Sequence, residues 1–371
     1  MNILIAPDSF KGTLSAYEVC NIIEKAFCDV YPDANIEKLP VADGGEGLCA
    51  CLNNIVGGET RTATVSGVFG EKMTASYLVL NDGTAVIETA ACAGLPLAGE
   101  NKNPLKATAY GVGELIKDAV KNGAENILLG LGGSATNECG LSVASALGWT
   151  FLDKNGEAFV PVGETLSLVD KIIPPKKPLS VTVTAACDVD NPLFGKNGAA
   201  YVFSPQKGAD ENEVELLDKG LRHVADIIER DLCINVKDLN GAGAAGGLGA
   251  GVVAFLNAKL RRGIDMILDI ARFDEKLKNA DLVITGEGRL DAQSVNGKVI
   301  SGIATRAGRL NKTVITICGS HGNGAEAIKS LGVEKCFCAT DGKKDFSEIL
   351  KTCKEDLYNI SVKAALSFKD R

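Results

Sequence analysis

The sequence is short of histidine and of aromatic residues. Among 371 positions it has 2 His, 1 Trp and 5% aromatic residues. With only His223 and His321 available, a zinc site or a Ser–His–Asp triad would lack its usual ligands or base. The G-x-S-x-G pattern that surrounds many nucleophilic serines is absent as well. Acid–base chemistry in this chain is therefore expected to use carboxylates.

An excess of basic residues is also missing. The chain has 39 Lys and Arg against 47 Asp and Glu, which gives a net charge of −8. Nucleic acids and acidic membranes both require a basic surface, so neither is expected as a partner. The uncharged segment 241–258 is too poor in large apolar residues to span a bilayer. The opening strand carries no basic leader, so no signal peptide is expected.

The 12 cysteines carry no C-x-x-C spacing. Most of them stand in apolar contexts typical of strands or helices. They are expected to be free, buried thiols that act as small hydrophobic residues in the reducing cytoplasm.

The length and the rhythm of apolar segments predict two α/β domains. A chain of 371 residues exceeds what one hydrophobic core usually supports. Residues 1–60 and 275–371 alternate strands with helices, which predicts one discontinuous, doubly wound parallel-sheet domain of Rossmann or flavodoxin type. Residues 61–274 are expected to form an inserted α/β domain that starts with antiparallel hairpins. Because ligands bind at the carboxyl ends of such strands, the active site is expected in the cleft between the domains.

Three local features can be checked directly. Ser15 and Glu18 have the spacing of a capping box and predict a helix start. Residues 249–262 are expected to form a helix, and the proline-rich residues 170–178 a connection.

Glycine is abundant, with 42 of 371 residues, or about 11% against a usual value of roughly 7%. Five predicted strand ends carry polar or ionisable residues, in four of them beside glycine. Glycine lets backbone N–H groups approach phosphate oxygens, and a following helix adds partial positive charge. These loops are therefore expected to converge on a polyanion and its metal: residues 6–12, 41–47, 130–137, 186–192 and 285–291.

The loop 130–137 is the strongest candidate for phosphate binding, because an apolar strand leads into Gly132, Gly133 and Ser134. A tight turn without a ligand is the alternative. The run 241–246 matches G-x-G-x-x-G, but no clear strand precedes it. Close helix packing, or a cover over a nucleotide, is expected there instead of a dinucleotide site.

The same loops supply the groups that phosphoryl transfer needs. Carboxylates can hold Mg²⁺ and accept the proton of a hydroxyl group, and cations neutralise the transferred charge. For Asp8 and Asp43, capping of a following helix is an alternative role. The carboxylates and cations are Asp8, Asp43, Glu46, Asp188, Glu287, Asp291, Lys11, Arg289 and Lys298.

Six of the segments together resemble the type I glycerate kinases, in the same order along the chain. They are APDSFKG (6–12), VADGGEG (41–47), GLGGSATN (130–137), ACDVDNPL (186–193), GAGAAGGLG (241–249) and LVITGEGR (282–289). The resemblance implies phosphorylation of D-glycerate with ATP and Mg²⁺, most often giving 2-phosphoglycerate, by a two-domain α/β protein. One departure is local: the family usually has Asn-Asp-Gly-Gly where this chain has Asn137, Glu138, Cys139 and Gly140. That departure puts a metal-binding role for position 138 in doubt.

The roles expected from this reading fall into three groups. Asp188, Asp43, Lys11 and Arg289 are expected to be catalytic, with Asp188 or Asp43 accepting the hydroxyl proton. The expected metal ligands are Asp43, Glu46, Asp188 and Asp291. The expected substrate- and nucleotide-binding residues are Asp8, Ser9, Gly132, Gly133, Ser134, Asn137, Asn191, Gly286, Glu287, Gly288 and Lys298.

Other functions stay open from the sequence. A kinase of a related small hydroxy acid, a non-catalytic sensor of phosphorylated ligands and a nucleotide-dependent hydride-transfer enzyme are the alternatives. The surplus of carboxylates favours an enzyme over a sensor. The sequence does not decide the oligomeric state, and a homodimer stays open.

Overall fold

The computed structural model describes residues 1–42, 47–291, 299–342 and 344–368. The chain divides into two compact units. One contains Met1–Asp43, Asn54–Val56 and Ile264–Arg371, and the other contains Gly44–Asn53 and Gly57–Gly263. Compactness does not by itself show independent folding, so the predicted domain limits at residues 60 and 275 stay a prediction. The fold class, mixed α/β with parallel sheets, is as expected.

The described strands, in chain order, are β1 (Asn2–Ile5), β2 (Asn35–Lys38), β3 (Gly58–Ser66), β4 (Lys72–Leu80), β5 (Ala85–Glu88), β6 (Asn126–Gly130), β7 (Thr150–Leu152), β8 (Ala158–Phe159), β9 (Lys171–Ile173), β10 (Thr182–Ala186), β11 (Lys259–Arg261), β12 (Leu282–Thr285), β13 (Arg289–Leu290), β14 (Thr313–Cys318), β15 (Ser320–His321) and β16 (Val333–Cys338).

The described α-helices are α1 (Ala16–Val30), α2 (Leu48–Val56), α3 (Ala90–Ala93), α4 (Tyr110–Lys121), α5 (Leu141–Ala146), α6 (Ala199–Phe203), α7 (Glu211–Leu232), α8 (Ala244–Leu256), α9 (Gly263–Ile270), α10 (Phe273–Asn279), α11 (Val299–Arg309) and α12 (Phe346–Leu366). Short 3-10 turns include Pro205–Lys207.

The first unit is built on a parallel sheet with the order β16-β14-β12-β1-β2. Numbered within the unit, this is the order 2-1-3-4-5 of flavodoxin-like sheets, whose switch point lies between β1 and β12. Strand β12 is buried along its whole length, and helices α1 and α12 pack against each other. The capping box is confirmed, because Ser15 Oγ accepts a hydrogen bond from the Glu18 N–H and Glu18 accepts one from the Ser15 N–H.

The second unit contains a six-stranded mixed sheet with the order β11-β10-β6-β5-β4-β3. Strands β3, β4 and β5 form the antiparallel hairpins that the sequence predicted, and β5, β6, β10 and β11 are parallel. A small antiparallel sheet of β7, β8 and β9 was not expected. It includes Lys171–Ile173, which the sequence placed in a connection.

The prediction of one helix over 249–262 is wrong at its end. Helix α8 stops at Leu256, and Asn257 adopts a left-handed conformation with φ +50°. Asparagine tolerates this conformation better than most residues, so it ends the helix there. The next residues turn into β11, which pairs with the edge of β10.

The glycine-rich run 241–251 is a packing surface. A Cβ atom at Gly246 would lie 2.0 Å from the Thr136 carbonyl oxygen, and one at Gly251 would lie 2.1 Å from the Cys139 carbonyl oxygen. Residues Ala245, Gly246 and Gly247 also have positive φ, so the chain makes a left-handed turn at the start of α8. Of the two expected roles, close packing is therefore what the structure shows.

All twelve cysteines are free thiols, as predicted. Six are buried and the others are exposed or half-buried, so the expectation of burial holds only in part. The buried ones are Cys20, Cys51, Cys92, Cys139, Cys187 and Cys318.

The packing of Gly246 leads to a stability prediction. Gly246→Ala should destabilise the protein by at least about 2 kcal/mol, because the methyl group meets a carbonyl oxygen and the residue must keep φ near +70°. The matched control is Gly308→Ala in α11, where a Cβ atom meets nothing within 4 Å. That change should stabilise the protein by up to about 1 kcal/mol. Urea unfolding of both variants measures the difference, and equal midpoints would contradict the packing role.

Candidate active site

The first unit has a cavity of about 320 Å³ at the carboxyl ends of its strands. Loops that follow β1, β12, β14 and β16 form most of its wall, and α12 completes it. This is the position at which open parallel sheets bind ligands. Of the predicted site residues, the cavity brings together Asp8, Ser9, Lys11, Glu287, Gly288, Arg289 and Asp291.

Backbone hydrogen bonds join these loops to one another. The Asp8 N–H donates to the Gly286 carbonyl oxygen at 2.8 Å, and the Gly319 N–H donates to the Glu287 carbonyl oxygen at 3.1 Å. The Thr340 N–H then donates to the Gly319 carbonyl oxygen at 2.9 Å. The loops of the cavity wall are therefore joined to one another by backbone hydrogen bonds, as the strands of the sheet are.

Two of the predicted phosphate-binding glycines are explained by this packing. A Cβ atom at Gly286 would lie 1.8 Å from the Ile317 carbonyl oxygen, and one at Gly288 would lie 3.1 Å from the Phe10 Cα atom. The loops approach too closely for any side chain at Gly286. A role of these residues in phosphate binding stays a prediction.

Charged groups in the cavity differ in their exposure. Asp8 and Glu287 are 7% and 6% exposed, whereas Lys11 and Arg289 are exposed. Asp8 Oδ1 accepts a hydrogen bond from the Ser9 N–H at 2.6 Å, which fixes that carboxylate. Cations at the surface with carboxylates below them form a site that can attract a small anion and orient its hydroxyl groups.

One wall of the cavity was missed by the sequence analysis. Phe346, Ile349 and Cys353 come from α12, and none of them was among the predicted site residues. Phe10 adds to this apolar side. No local motif marks these residues, because only the tertiary fold brings α12 to the strand ends.

In the second unit, the predicted phosphate loop lies between β6 and α5. Gly132 is half-buried, Gly133 is exposed with φ +74°, and Ser134 is buried. The Leu95 N–H donates to the Gly133 carbonyl oxygen, and the Ala135 N–H donates to the Ala93 carbonyl oxygen, each at 2.8 Å. These two hydrogen bonds fix one side of the loop, while Gly133 is exposed to solvent.

A buried lysine beside this loop was not found from the sequence. Lys207 Nζ donates to the Thr136 carbonyl oxygen at 2.6 Å and to Ser134 Oγ at 3.2 Å. It follows Pro205 and Gln206 in a short turn, where lysine is usually exposed. Nothing in the local pattern indicates its burial.

Asp188 and Asn191 follow β10 and have roles in holding the backbone. Asp188 Oδ1 accepts a hydrogen bond from the Gly263 N–H at 2.8 Å, at the first residue of α9. Asn191 Nδ2 donates to the Asn197 carbonyl oxygen, and the Gly243 N–H donates to the Asn191 carbonyl oxygen. Their expected catalytic, metal-binding and substrate-binding roles stay predictions.

The start of α2 is occupied by a carboxylate of the protein itself. Glu88 Oε1 accepts hydrogen bonds from the N–H groups of Gly47 and Leu48, at 2.6 and 2.8 Å. This helix terminus follows the segment 43–46, so Glu88 is a polar partner that the sequence analysis missed. Asp43, Glu46 and Lys298, which were predicted as site residues, lie outside the described residues.

The donor set for a metal is sparse in the described part of the chain. No group of three or more His, Cys, Asp or Glu side chains in residues 1–42, 47–291, 299–342 and 344–368 could hold a metal ion. Magnesium usually takes only one or two protein carboxylates together with substrate phosphates. Of the expected metal ligands, Asp291 lines the cavity and fits that smaller requirement.

Comparison with known proteins agrees with this arrangement. The model of the glycerate kinase family matches residues 3–369. The chain belongs to the glycerate kinase family. It is 44% identical to the glycerate 2-kinase of Escherichia coli K12 over 343 residues, or 91% of this chain and 90% of the relative. It is 42% identical to the glycerate kinase of Bacillus subtilis 168, over 100% of this chain and 98% of the relative.

A solved structure is similar over the whole length. It is a crystal structure from Salmonella typhimurium LT2 described as that of a glycerate kinase 2. The two chains are 40% identical, with a TM-score of 0.86, and the match covers 100% of this chain and 98% of the other. Among the described residues, no helix has both the length and the apolar character that crossing a membrane requires.

The local departure from the family pattern has a structural explanation. Glu138 Oε1 accepts hydrogen bonds from Ser142 Oγ at 2.5 Å and from the Ala109 N–H at 3.1 Å. Burial raises the pKa of Glu138 to about 8, although these hydrogen bonds oppose the shift. The buried carboxyl group of Glu138 therefore has a structural role, because it accepts the N–H of Ala109, the residue that precedes α4. Cys139 takes the left-handed conformation, φ +56°, where the family usually has glycine.

The raised pKa of Glu138 predicts how stability depends on pH. The folded protein keeps a proton that the unfolded chain releases above its normal pKa of about 4.5. The resulting stabilisation is complete below pH 4.5 and is lost as the pH rises towards 8, with a slope of at most about 1.4 kcal/mol per pH unit. Glu138→Gln should flatten the slope between pH 5 and 8 in denaturant unfolding, and the exposed control Glu157→Gln should not. Parallel curves for the parent protein and Glu138→Gln would contradict this assignment.

Proposed function

We propose that this protein is an ATP-dependent D-glycerate kinase that transfers the γ-phosphoryl group to the 2-hydroxyl, giving 2-phosphoglycerate. The observation that carries the proposal is the cavity at the strand ends, where Lys11 and Arg289 lie beside the carboxylates of Asp8, Glu287 and Asp291. Membership of the glycerate kinase family supports ATP as the donor and glycerate as the acceptor. The relative named a glycerate 2-kinase supports the 2-hydroxyl as the acceptor group.

The two cations suit the charges of this reaction. Glycerate carries one carboxylate, and the transferred phosphoryl group carries charge on its equatorial oxygens. Arg289 offers a planar pair of donors that matches a carboxylate or a phosphate, whereas Lys11 supplies a mobile point charge. We assign Lys11 and Arg289 to these two anions, without deciding which cation takes which anion.

The proton of the glycerate hydroxyl needs an acceptor. Asp188 and Asp43 are the candidates, and Asp188 is the one among the described residues. The Gly263 N–H holds Asp188 Oδ1 in place, so the carboxylate is oriented before a substrate binds. Such fixed orientation is what a general base requires.

Magnesium is proposed as the metal partner. Carboxylate oxygens are the ligands that it prefers. The candidates are Asp43, Glu46, Asp188 and Asp291, and Asp291 is the one that lines the cavity. When bound, magnesium neutralises the charge of the phosphate oxygens. A cytoplasmic location and a homodimer remain predictions.

An assay of ADP release tests the reaction class. ADP should form with D-glycerate and Mg²⁺, and not with L-lactate, with tartronate or without an acceptor. NMR of the product should show phosphate on the 2-hydroxyl. ADP formed with tartronate instead of glycerate would favour a kinase of a related acid, and tight phosphate-ligand binding without turnover would favour a sensor.

Asp188→Asn tests the base. Asparagine keeps an oxygen that can accept the Gly263 N–H, so the fold should persist, whereas loss of the carboxylate should lower kcat about 10²–10⁴-fold. Asp82→Asn is the matched control, because Asp82 Oδ1 also accepts a backbone N–H, that of Thr84, in a hairpin turn. Near-normal turnover of Asp188→Asn would remove Asp188 from the mechanism.

A further inference from the structure

Lys207 is the most deeply buried cation that contacts the loop 130–137. The residue is 3% exposed, and within the described part of the chain its ammonium group donates hydrogen bonds to two oxygen atoms of that loop, Ser134 Oγ and the Thr136 carbonyl. In the described part of the chain no carboxylate lies within salt-bridge distance of Lys207. Burial of a cation without a counter-charge is unfavourable, and a bound anion would offset that cost.

The pKa of Lys207 reflects the same situation. Burial lowers it to about 7, and no charged side chain of the described residues contributes to the shift. Two carboxyl groups adjoin the loop and both have other partners: that of Glu138 is engaged with Ala109 and Ser142, and that of Glu88, which pairs with Gly130, accepts from the start of α2. An anion near the loop would therefore bind together with protonation of Lys207.

Asn137 provides an independent observation. Its Oδ1 accepts a hydrogen bond from Ser204 Oγ at 2.9 Å. Its Nδ2 is buried and has no hydrogen-bond partner in the described structure. A buried amide group with unused donors costs free energy, and an acceptor from a ligand would recover that cost.

The serine hydroxyl adds a third donor. When Lys207 is protonated its ammonium group can only donate, so Ser134 Oγ then accepts from it. The hydroxyl hydrogen is then directed to another acceptor. Gly132 and the exposed Gly133 precede Ser134, so the approach to this hydroxyl is not blocked by side chains of its two preceding residues.

We propose that Ser134 and Asn137 form an anion site for the polyphosphate of the nucleotide, and that Lys207 is its positioning residue. Lys207 acts through Ser134 and Thr136: it fixes the loop, directs the Ser134 hydroxyl outwards and supplies the positive charge. The inference rests on the proposed function only in naming the anion as a nucleotide polyphosphate.

The first test replaces the lysine. Lys207→Met keeps the length of the side chain and removes its charge and donors. The KM for ATP should rise at least tenfold, while the KM for D-glycerate should change less than twofold. Lys335→Met is the control, because Lys335 is half-buried and, like Lys207, donates to a backbone carbonyl, that of Ser367. It should leave both KM values unchanged.

Two further measurements cover the case in which Lys207→Met does not fold. Ser134→Ala, which removes only the hydroxyl group, should weaken binding of adenylyl imidodiphosphate at least threefold in calorimetry. In the unmodified protein at pH 8, binding of inorganic tripolyphosphate, measured in two buffers of different ionisation enthalpy, should be accompanied by net proton uptake. A merely structural lysine would not produce that uptake.

The outcomes separate this inference from the proposed function. Unchanged ATP and tripolyphosphate affinity in folded Lys207→Met or Ser134→Ala would overturn the inference, even if glycerate is phosphorylated. So would tripolyphosphate binding without proton uptake. Lysine-dependent binding of tripolyphosphate in a protein that does not phosphorylate glycerate would support the anion site and overturn the proposed function.

Discussion

The second unit depends on one steric constraint: two backbone segments approach so closely that no side chain fits between them. The left-handed turn and the first part of α8 lie against residues 136–140, so closely that a Cβ atom at Gly246 would overlap the Thr136 carbonyl oxygen. The Cys139 N–H also donates to the Gly246 carbonyl oxygen at 3.1 Å. This contact fixes the backbone that carries Ser134 and Asn137, so the geometry of the candidate anion site is set by glycines that no ligand needs to touch.

The same segment shows how the fold holds polar groups away from water. Glu138 is buried, but Ser142 and Ala109 donate to it, and its raised pKa keeps it largely protonated at neutral pH. A neutral carboxyl group is a poor metal ligand, which agrees with the doubt that the sequence raised about position 138. The neighbouring Asn137 differs, because one side of its amide is satisfied by Ser204 and the other is not. The unused donors of the Asn137 amide are available to a ligand, whereas the hydrogen bonds of the Glu138 carboxyl group serve the protein's own structure.

The sequence predicted those features that local physics decides. The capping box at Ser15 and the hairpins of β3 to β5 follow from side-chain spacing, and both are present. It did not predict the end of α8, where a single left-handed Asn257 outweighs an apolar pattern. It also missed Lys207 and the α12 wall of the cavity, since burial of a lysine and the approach of a distant helix are tertiary effects without a local pattern.

The glycine excess divides into two physical roles. At Gly246, Gly249, Gly251 and Gly286 a Cβ atom would lie between 1.8 and 2.2 Å from a backbone carbonyl oxygen, so the open side of each residue is filled by the protein itself. At Gly133 the nearest neighbour of a Cβ atom is the methyl group of Ala90, at 3.3 Å, and the residue is exposed. A carbonyl oxygen repels a phosphate, whereas an exposed glycine with positive φ lets an anion approach its backbone. Gly133 has the surroundings of an anion contact, whereas Gly246, Gly249 and Gly251 pack within the second unit and Gly286 packs within the first.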